Sequence, residues 1–106
     1  MADEIGASHI LLMYDGSPNS TATRTKEEAA EQIAGLKAEI DGGADFSELA
    51  RTHSDCSSAS SGGELGMFGR GMMVPEFEAA AYGLEVGEIS EAVETDFGYH
   101  LIHRTG

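Results

Sequence analysis

Apolar and polar positions alternate with a period of two in two segments, Ser8–Tyr14 and Phe97–Arg104. This pattern predicts β-strands, because successive side chains of a strand point to opposite faces of a sheet. Each segment carries one imidazole among its apolar residues, His9 in the first and His100 in the second. Both positions can face inward, and if the two strands are neighbours the two rings can touch.

Three other segments repeat apolar residues at helical spacing. The longest begins at Thr25, where Glu28 three residues later completes a capping box, and ends at Gly42. A shorter helix begins at Asp45, and a third begins at Pro75, which suits the first turn of a helix. The expected inward positions are Ala29, Ile33, Leu36 and Ile40, then Phe46, Leu49 and Ala50, then Phe77, Ala80 and Ala81.

The remaining segments predict turns and short strands. Asp15–Thr23 is a polar loop, and Asp55–Gly63 is too polar and too small for regular structure. Glu64–Phe68 is a short strand, and Gly87–Val93 is a turn that leads into another. The order strand, two helices, strand, helix, strand, strand predicts an α+β domain with helices around a small, largely antiparallel sheet.

Length and composition predict one domain over residues 1–106, with a core from about residue 8 to residue 104. The net charge of −13 argues against nucleic acid, anionic membranes and phosphorylated ligands as main partners, because each requires a positive surface. The longest apolar run, Ile10–Met13, is far too short to span a bilayer, and the acidic start is unlike a secretory signal. A soluble, cytoplasmic protein is therefore expected. The acidity serves solubility, with adaptation to high salt as the sharper hypothesis.

His9, His100 and Cys56 are the residues that could carry chemistry. Alone, either histidine is more readily explained as a hydrogen-bonded core residue than as a functional one. A Cys–His protease is disfavoured, because Cys56 lies in a polar loop without a helix N-terminus to lower its pKa. The spacing does not favour a metal site, and Lys26 stands where a calcium loop from Asp15 would need Glu. Neither metal nor cofactor is expected, and one cysteine forms no internal disulfide.

Five blocks of residues follow one another from Ser8 to Arg104. They are Ser8-His9-Ile10-Leu11-Leu12, His53-Ser54-Asp55-Cys56-Ser57, Gly62-Gly63-Glu64-Leu65-Gly66, Phe68-Gly69-Arg70-Gly71-Met72-Met73 and Phe97-Gly98-Tyr99-His100-Leu101-Ile102. In this order and register they resemble the parvulin family of peptidyl-prolyl cis/trans isomerases. The resemblance implies the parvulin (FKBP-like) fold, a four-stranded antiparallel sheet surrounded by four helices, of which one is a short turn near Ser57–Ser60.

The resemblance also implies an activity and its residues. His9 and His100 match the paired histidines of the family, Cys56 the active-site cysteine, and Thr95 the hydroxyl that joins the histidines. Leu65, Met73 and Phe77 match the apolar pocket for the substrate proline, and Ser57 lies on the loop that covers the peptide. The implied reaction is rotation of Xaa-Pro bonds by non-covalent stabilisation of the twisted amide.

The expected substrates are proline-containing peptides and unfolded proteins, so the protein would assist folding, as a monomer. Phosphate-directed parvulins carry basic residues after the first strand, whereas Tyr14–Thr23 contains no Lys or Arg. Ser60-Ser61 likewise stand where basic residues often follow the cysteine. A preference for unphosphorylated Xaa-Pro, with apolar or basic Xaa, is therefore expected. The competing hypothesis is a binding module that holds unfolded chains with little turnover.

Overall fold

The computed structural model describes residues 4–16 and 24–106, and of Ser57 the backbone alone. The chain order of its elements is the one that the hydrophobic pattern predicts. The elements are β1 (Glu4–Leu12), α1 (Lys26–Asp41), α2 (Phe46–His53), a 3₁₀ turn (Ser57–Ser61), β2 (Glu64–Gly69), α3 (Pro75–Tyr82), β3 (Val93–Thr95) and β4 (Gly98–Arg104).

The four strands form one sheet in the order β2-β1-β4-β3, and all neighbours are antiparallel. The first and last long strands are therefore adjacent, which is the condition for contact between the two histidines. Helices α1 and α2 cover one face of the sheet and α3 covers the other, each over its own apolar cluster. The α+β class and the four-stranded antiparallel sheet are confirmed.

The alternation in β1 separates the two clusters. Ile10 and Leu12 are fully buried beneath α1 and α2, whereas Ile5 and Ala7 are fully buried on the α3 side. In β4, Leu101 and Ile102 divide between the same two faces. The sheet is thus apolar on both sides, and a polar side chain within β1 or β4 is enclosed by helices.

Strand β1 begins and ends earlier than the predicted Ser8–Tyr14. It begins at Glu4 because residues 4–7 pair with β2. The small residues around Gly6 show no alternating pattern, so the sequence does not predict this part of the strand. It ends at Leu12 because the amide of Met13 donates to Oδ2 of Asp55 at 2.9 Å instead of to a neighbouring strand.

Helix ends follow the predicted signals. Oγ1 of Thr25 accepts from the amide of Glu28 at 3.1 Å, and Oε1 of Glu28 accepts from the amide of Thr25 at 2.8 Å, which completes the capping box of α1. Asp45 caps α2 through the amide of Ser47 at 3.2 Å. Pro75 is the first residue of α3, as predicted.

The interpretation of Asp55–Gly63 as irregular was wrong, whereas the short turn implied by the family resemblance is present. Residues 57–61 form a 3₁₀ turn, in which Ala59 donates to the carbonyl of Cys56 at 2.9 Å and Gly62 to that of Ala59 at 3.0 Å. A single 3₁₀ turn needs no apolar stripe, so hydrophobic periodicity cannot reveal it. The described helices are therefore three α-helices and this turn.

Candidate active site

The pairing of β1 with β4 brings His9 and His100 together. Leu11 pairs with His100 and His9 pairs with Ile102, so the two imidazoles are diagonal neighbours on one face. Their Nδ1 atoms are 3.1 Å apart, and their rings stack with centroids 5.3 Å apart. Only 6% of His9 and 4% of His100 is exposed, so this contact lies within the core.

Thr95 extends the contact to a third residue. Its Oγ1 lies 2.7 Å from Nε2 of His100 and accepts a hydrogen bond from the amide of Phe97 at 3.2 Å. The short connection between β3 and β4 positions the hydroxyl, because Thr95 pairs with Gly98 in the last register of that hairpin. Thr95, His100 and His9 therefore form one buried polar chain.

Burial, and then the neighbouring His9, lower the pKa of His100 to about 3. His100 is neutral at neutral pH, and a neutral imidazole has one N–H. If its Nδ1 donates to His9, its Nε2 accepts from the hydroxyl of Thr95; if its Nε2 donates to Thr95, its Nδ1 accepts from His9. The proton position on His9 is thus coupled to the orientation of the Thr95 hydroxyl.

Cys56 immediately precedes the 3₁₀ turn, beside β1. Two contacts hold this segment: the amide of Asp55 donates to the carbonyl of Leu11 at 2.7 Å, and the amide of Leu11 donates to Oγ of Ser54 at 3.0 Å. These contacts fix the two residues that precede Cys56 against the strand that carries His9.

The imidazole of His9 lowers the pKa of the Cys56 thiol to about 6; partial burial opposes this, and Ser58 adds to it. Nε2 of His9 and Oγ of Ser58 are both buried, and neither has a hydrogen-bond partner among the described residues. Their effect on the thiol is therefore exerted without a hydrogen bond of normal geometry. The thiol is more acidic than its polar loop suggested, because His9 and the backbone of Ser58, in the 3₁₀ turn that Cys56 precedes, both favour the thiolate.

An apolar pocket of about 450 Å³ opens beside these groups. Phe77 forms the part of its wall next to the histidines. The centroid of its ring lies 5.5 Å from that of His9 and 5.4 Å from that of His100, edge-on to both. The lining residues are His9, Leu11, Met13, Asp55, Cys56, Leu65, Met72, Met73, Val74, Phe77, Phe97 and His100.

The structure brings together most of the residues singled out in the sequence. Leu65, Met73 and Phe77 line the same pocket as His9, Cys56 and His100. Thr95 does not line it and touches it only through His100. Ser57 begins the 3₁₀ turn, and its side chain lies outside the described part of the structure.

Sequence reasoning missed several residues of the pocket wall. Leu11 and Met13 share the face of β1 that carries His9, so the alternation could have identified them. Phe97 and Asp55 stand inside two of the five quoted blocks and could have been read from them. Met72 also stands inside one of these blocks, but its exposure beside Met73 depends on the turn after β2, which the sequence pattern does not specify.

Residues 4–16 and 24–106 contain no cluster of three His, Cys, Asp or Glu side chains placed as metal ligands. Within the same ranges, no helix is both long enough and apolar enough to cross a bilayer.

Comparison with known proteins gives consistent matches. The family profile of the PPIC-type PPIASE domain matches residues 1–106. The peptidyl-prolyl cis-trans isomerase Pin1 of Arabidopsis thaliana is 46% identical over 114 residues, which cover 97% of this chain and 96% of the relative. The foldase protein PrsA of Geobacillus kaustophilus (strain HTA426) is 48% identical over 103 residues, 96% of this chain but 31% of the relative.

A solved structure agrees with these sequence matches. The peptidyl-prolyl isomerase ESS1 from Candida albicans superposes with a TM-score of 0.92 at 38% identity. The match covers 98% of this chain and 63% of that one, so the chain spans a little under two thirds of its length. The sheet and helices described above are therefore those of the matched isomerase domain.

Proposed function

Because this chain belongs to the parvulin family, the PPIC-type peptidyl-prolyl cis/trans isomerases, we propose that it rotates Xaa-Pro bonds by binding the twisted amide more tightly than either planar form. The observation that carries this mechanism is the pocket itself. Most of its lining is apolar and includes Phe77, and its polar part holds Cys56 and the rings of His9 and His100, which Phe77 contacts edge-on. A prolyl ring and its preceding carbonyl have the matching division into apolar and polar parts.

The reaction needs no bond to be made or broken. Rotation about a peptide bond is opposed by a resonance barrier of ~18–20 kcal/mol. Uncatalysed Xaa-Pro exchange therefore takes on the order of 10–100 s at 25 °C. A site lowers this barrier if its contacts are stronger in the twisted state than in the planar ones.

The apolar side of the pocket favours the twisted state through desolvation. Leu65, Met73 and Phe77 would hold the ring while the carbonyl side turns. A planar amide has a partly negative oxygen and a partly positive nitrogen, and a twisted amide has less of this separation. Removing water from the bond therefore costs less in the transition state than in the ground state.

Cys56 supports the same mechanism electrostatically. With a pKa of about 6, its thiol is mostly thiolate at neutral pH. An anion beside the carbonyl oxygen opposes the charge separation of the planar amide, so it raises the ground state more than the transition state. Nε2 of His9, buried and without a partner in the described residues, is available to orient the substrate.

Cis/trans exchange of an Xaa-Pro peptide panel, measured by NMR, tests the activity. Phe77→Ala should reduce exchange strongly, but Phe77 is only 3% exposed, and such a deletion costs about 3–5 kcal/mol of stability. Phe77→Leu keeps most of the core volume while it removes the ring that faces the histidines. Unchanged exchange in a folded Phe77→Leu protein would contradict the assigned role of Phe77, and no exchange with wild type would contradict the isomerase.

We also propose that the enzyme does not require phosphate on its substrate. All six Lys and Arg residues lie in the described ranges, and Arg104 binds the backbone carbonyls of Leu84 and Gly106. The other five face carboxylates: Arg24 with Asp55, Lys26 with Glu94, Lys37 with Asp41 and Glu91, Arg51 with Glu48, and Arg70 with Glu78. In the loop between β1 and α1, residues 17–23 lie outside the described structure, and their sequence contains no basic residue.

Matched Ser-Pro, phosphoserine-Pro and Glu-Pro peptides test this proposal. We expect kcat/KM for the phosphorylated peptide to be no higher than for Ser-Pro, because the charge around the site is negative. The double variant Ser60→Lys/Ser61→Arg, which adds two cations beside the active-site cysteine, should raise the phosphopeptide value selectively. A large gain with phosphate in the wild type would contradict the proposal.

We further propose a cytoplasmic monomer that acts on unfolded, proline-containing proteins and assists their folding, without nucleic-acid or membrane partners. The name of the relative PrsA, a foldase, supports the folding role. Refolding of a protein limited by proline isomerisation is the measurement. Acceleration at catalytic amounts of enzyme supports the proposal, whereas an effect only at stoichiometric amounts favours the binding module.

A further inference from the structure

Two adjacent methionines at the pocket have unlike surroundings. Met73 is half-buried and packs against the apolar cluster that contains Phe68 and Phe77. Met72 lies outside both clusters and is 68% exposed, yet it lines the same pocket. One methionine belongs to the floor of the pocket, and its neighbour leaves a large apolar surface open to solvent at the mouth.

The exposed methionine is held in place by its own turn. The amide of Gly69 donates to Sδ of Met72 at 3.2 Å, and the amide of Met72 donates to the carbonyl of Gly69 at 3.4 Å. Gly71 has a φ of +87° and donates to Oε1 of Glu78 in α3. Met72 thus presents apolar surface to the pocket from a fixed position, and a ligand in the pocket would cover that surface.

The pocket is also larger than one prolyl ring requires. Cavities of roughly 300–1,000 Å³ hold whole drug-sized ligands, and this one measures about 450 Å³. Val74 continues the wall from Met72 into α3, so the space beyond the ring is apolar. A residue next to the proline in the substrate chain is the group that must reach this space.

We propose that Met72, with Val74, forms a second apolar subsite that takes an apolar side chain adjoining the substrate proline, and that Met72 is a specificity-determining residue. The occupant is a segment of polypeptide with Leu, Met or Phe next to proline. Methionine suits such a site because its unbranched thioether adapts to side chains of different shape. The inference rests on the proposed isomerase function and adds a residue preference to it.

The test uses peptides that differ only in Leu or Ser before the proline and, separately, after it. Both exchange by NMR and binding by chemical-shift titration are measured for wild type and Met72→Gln. Met67→Gln is the matched control, since Met67 is another exposed methionine, at 58%, that does not line the pocket. Met72→Leu is the conservative variant that should keep the preference.

At one of the two positions, wild type should prefer Leu over Ser by about fivefold, the scale expected for one partly buried apolar side chain. Met72→Gln should lose most of this preference, while Met67→Gln and Met72→Leu keep it. Equal Leu and Ser values in wild type, or a preference that survives Met72→Gln, would overturn the subsite. Binding without exchange in wild type would instead contradict the isomerase, and the binding preference would still decide the subsite.

Discussion

The acid–base properties of the site come from individual residues placed a few ångströms apart. Burial and His9 keep His100 uncharged, with a pKa of about 3, while His9 also favours the ionised thiol of Cys56, with a pKa of about 6. At neutral pH the pocket lining therefore includes an anion at Cys56 and a neutral imidazole at His100. In the proposed mechanism, the anion distinguishes a planar from a twisted amide.

Replacing His9 should raise the pKa of Cys56. His9 is the largest cause of the lowered value, so His9→Asn should return the thiol from about 6 toward its ordinary range, about 8.5. Thiolate absorbance and alkylation rate as functions of pH measure the change. His103→Asn is the control, because the ring of His103 packs against Phe46 under the other face of the sheet. An unchanged Cys56 titration in His9→Asn would show that another group sets the thiol pKa.

Cys56→Asp should retain activity and move its pH dependence. A lowered thiol pKa means that the anion dominates above about pH 6, so wild-type kcat/KM should fall as pH drops through 6. The aspartate stays ionised to about pH 4, so the pH at which kcat/KM falls should be lower in this variant. At neutral pH the variant should keep at least about a tenth of the wild-type activity, which corresponds to an activation free energy higher by at most about 1.4 kcal/mol.

Cys56→Ala is the matched comparison for that variant. It lacks an anion at any pH, so its kcat/KM should fall by roughly 10²-fold, typical of losing one electrostatic group, and should be nearly independent of pH. The readout is peptide exchange across pH 4–9. Complete loss in Cys56→Asp would favour attack by the cysteine over the non-covalent mechanism.

At the level of elements, the site depends on how closely the start of β2 approaches β1. The amide of His9 donates to the carbonyl of Gly63 at 2.9 Å, one residue before β2 begins. Gly63 has a φ of +83°, and a Cβ there would collide with the carbonyl oxygen of His9. Glycine is therefore required by both backbone conformation and space, and the contact joins the 3₁₀ turn to the strand that carries His9.

Gly63→Ala should damage stability and activity together. Backbone strain of about 1–2 kcal/mol and overpacking of about 1–3 kcal/mol predict a combined loss of roughly 2–5 kcal/mol. Gly66→Ala separates the two effects, because Gly66 also has a positive φ, +74°, but no atom lies within 4 Å of its added Cβ. Urea unfolding and peptide exchange are the measurements. Equal losses in the two variants would show that the contact with His9 is unimportant.

For the whole molecule, the dominant electrostatic quantity is the net charge of −13. The described ion pairs of Lys26 and Arg51 are about half exposed or more, so they contribute little to stability. The 19 acidic residues outnumber the six basic ones. Repulsion between carboxylates therefore destabilises the fold by more than the ion pairs stabilise it.

Salt should therefore stabilise the fold. Raising the ionic strength to 1 M shortens the screening length to about 3 Å, which weakens carboxylate repulsion more than it weakens the few pairs. If screening contributes about 1 kcal/mol, the unfolding temperature should rise by about 4–8 °C. Calorimetry at increasing NaCl concentration measures this. A protein that is fully stable in dilute buffer, and whose unfolding temperature does not rise with NaCl, would contradict the hypothesis of salt adaptation.

The fold could be predicted where a local pattern has one structural solution. The capping box at Thr25, the glycine after α1 and the proline that opens α3 each fix an element end through nearby backbone groups alone. Alternation within β1 and β4 likewise fixes which side chains share a face. The hydrophobic pattern missed the early start of β1 and the 3₁₀ turn. The end of a strand depends on the strand it pairs with, and a single turn has no apolar periodicity.

The sequence by itself determined the residue types, the faces of the strands and the family to which they belong. Only the tertiary structure decided the 3.1 Å contact of His9 with His100, the acidity of Cys56 and the exposure of Met72. The reason is physical: distances, burial and pKa values depend on residues that are far apart in the chain, here 91 positions for the two histidines. Such quantities exist only after the strands have paired.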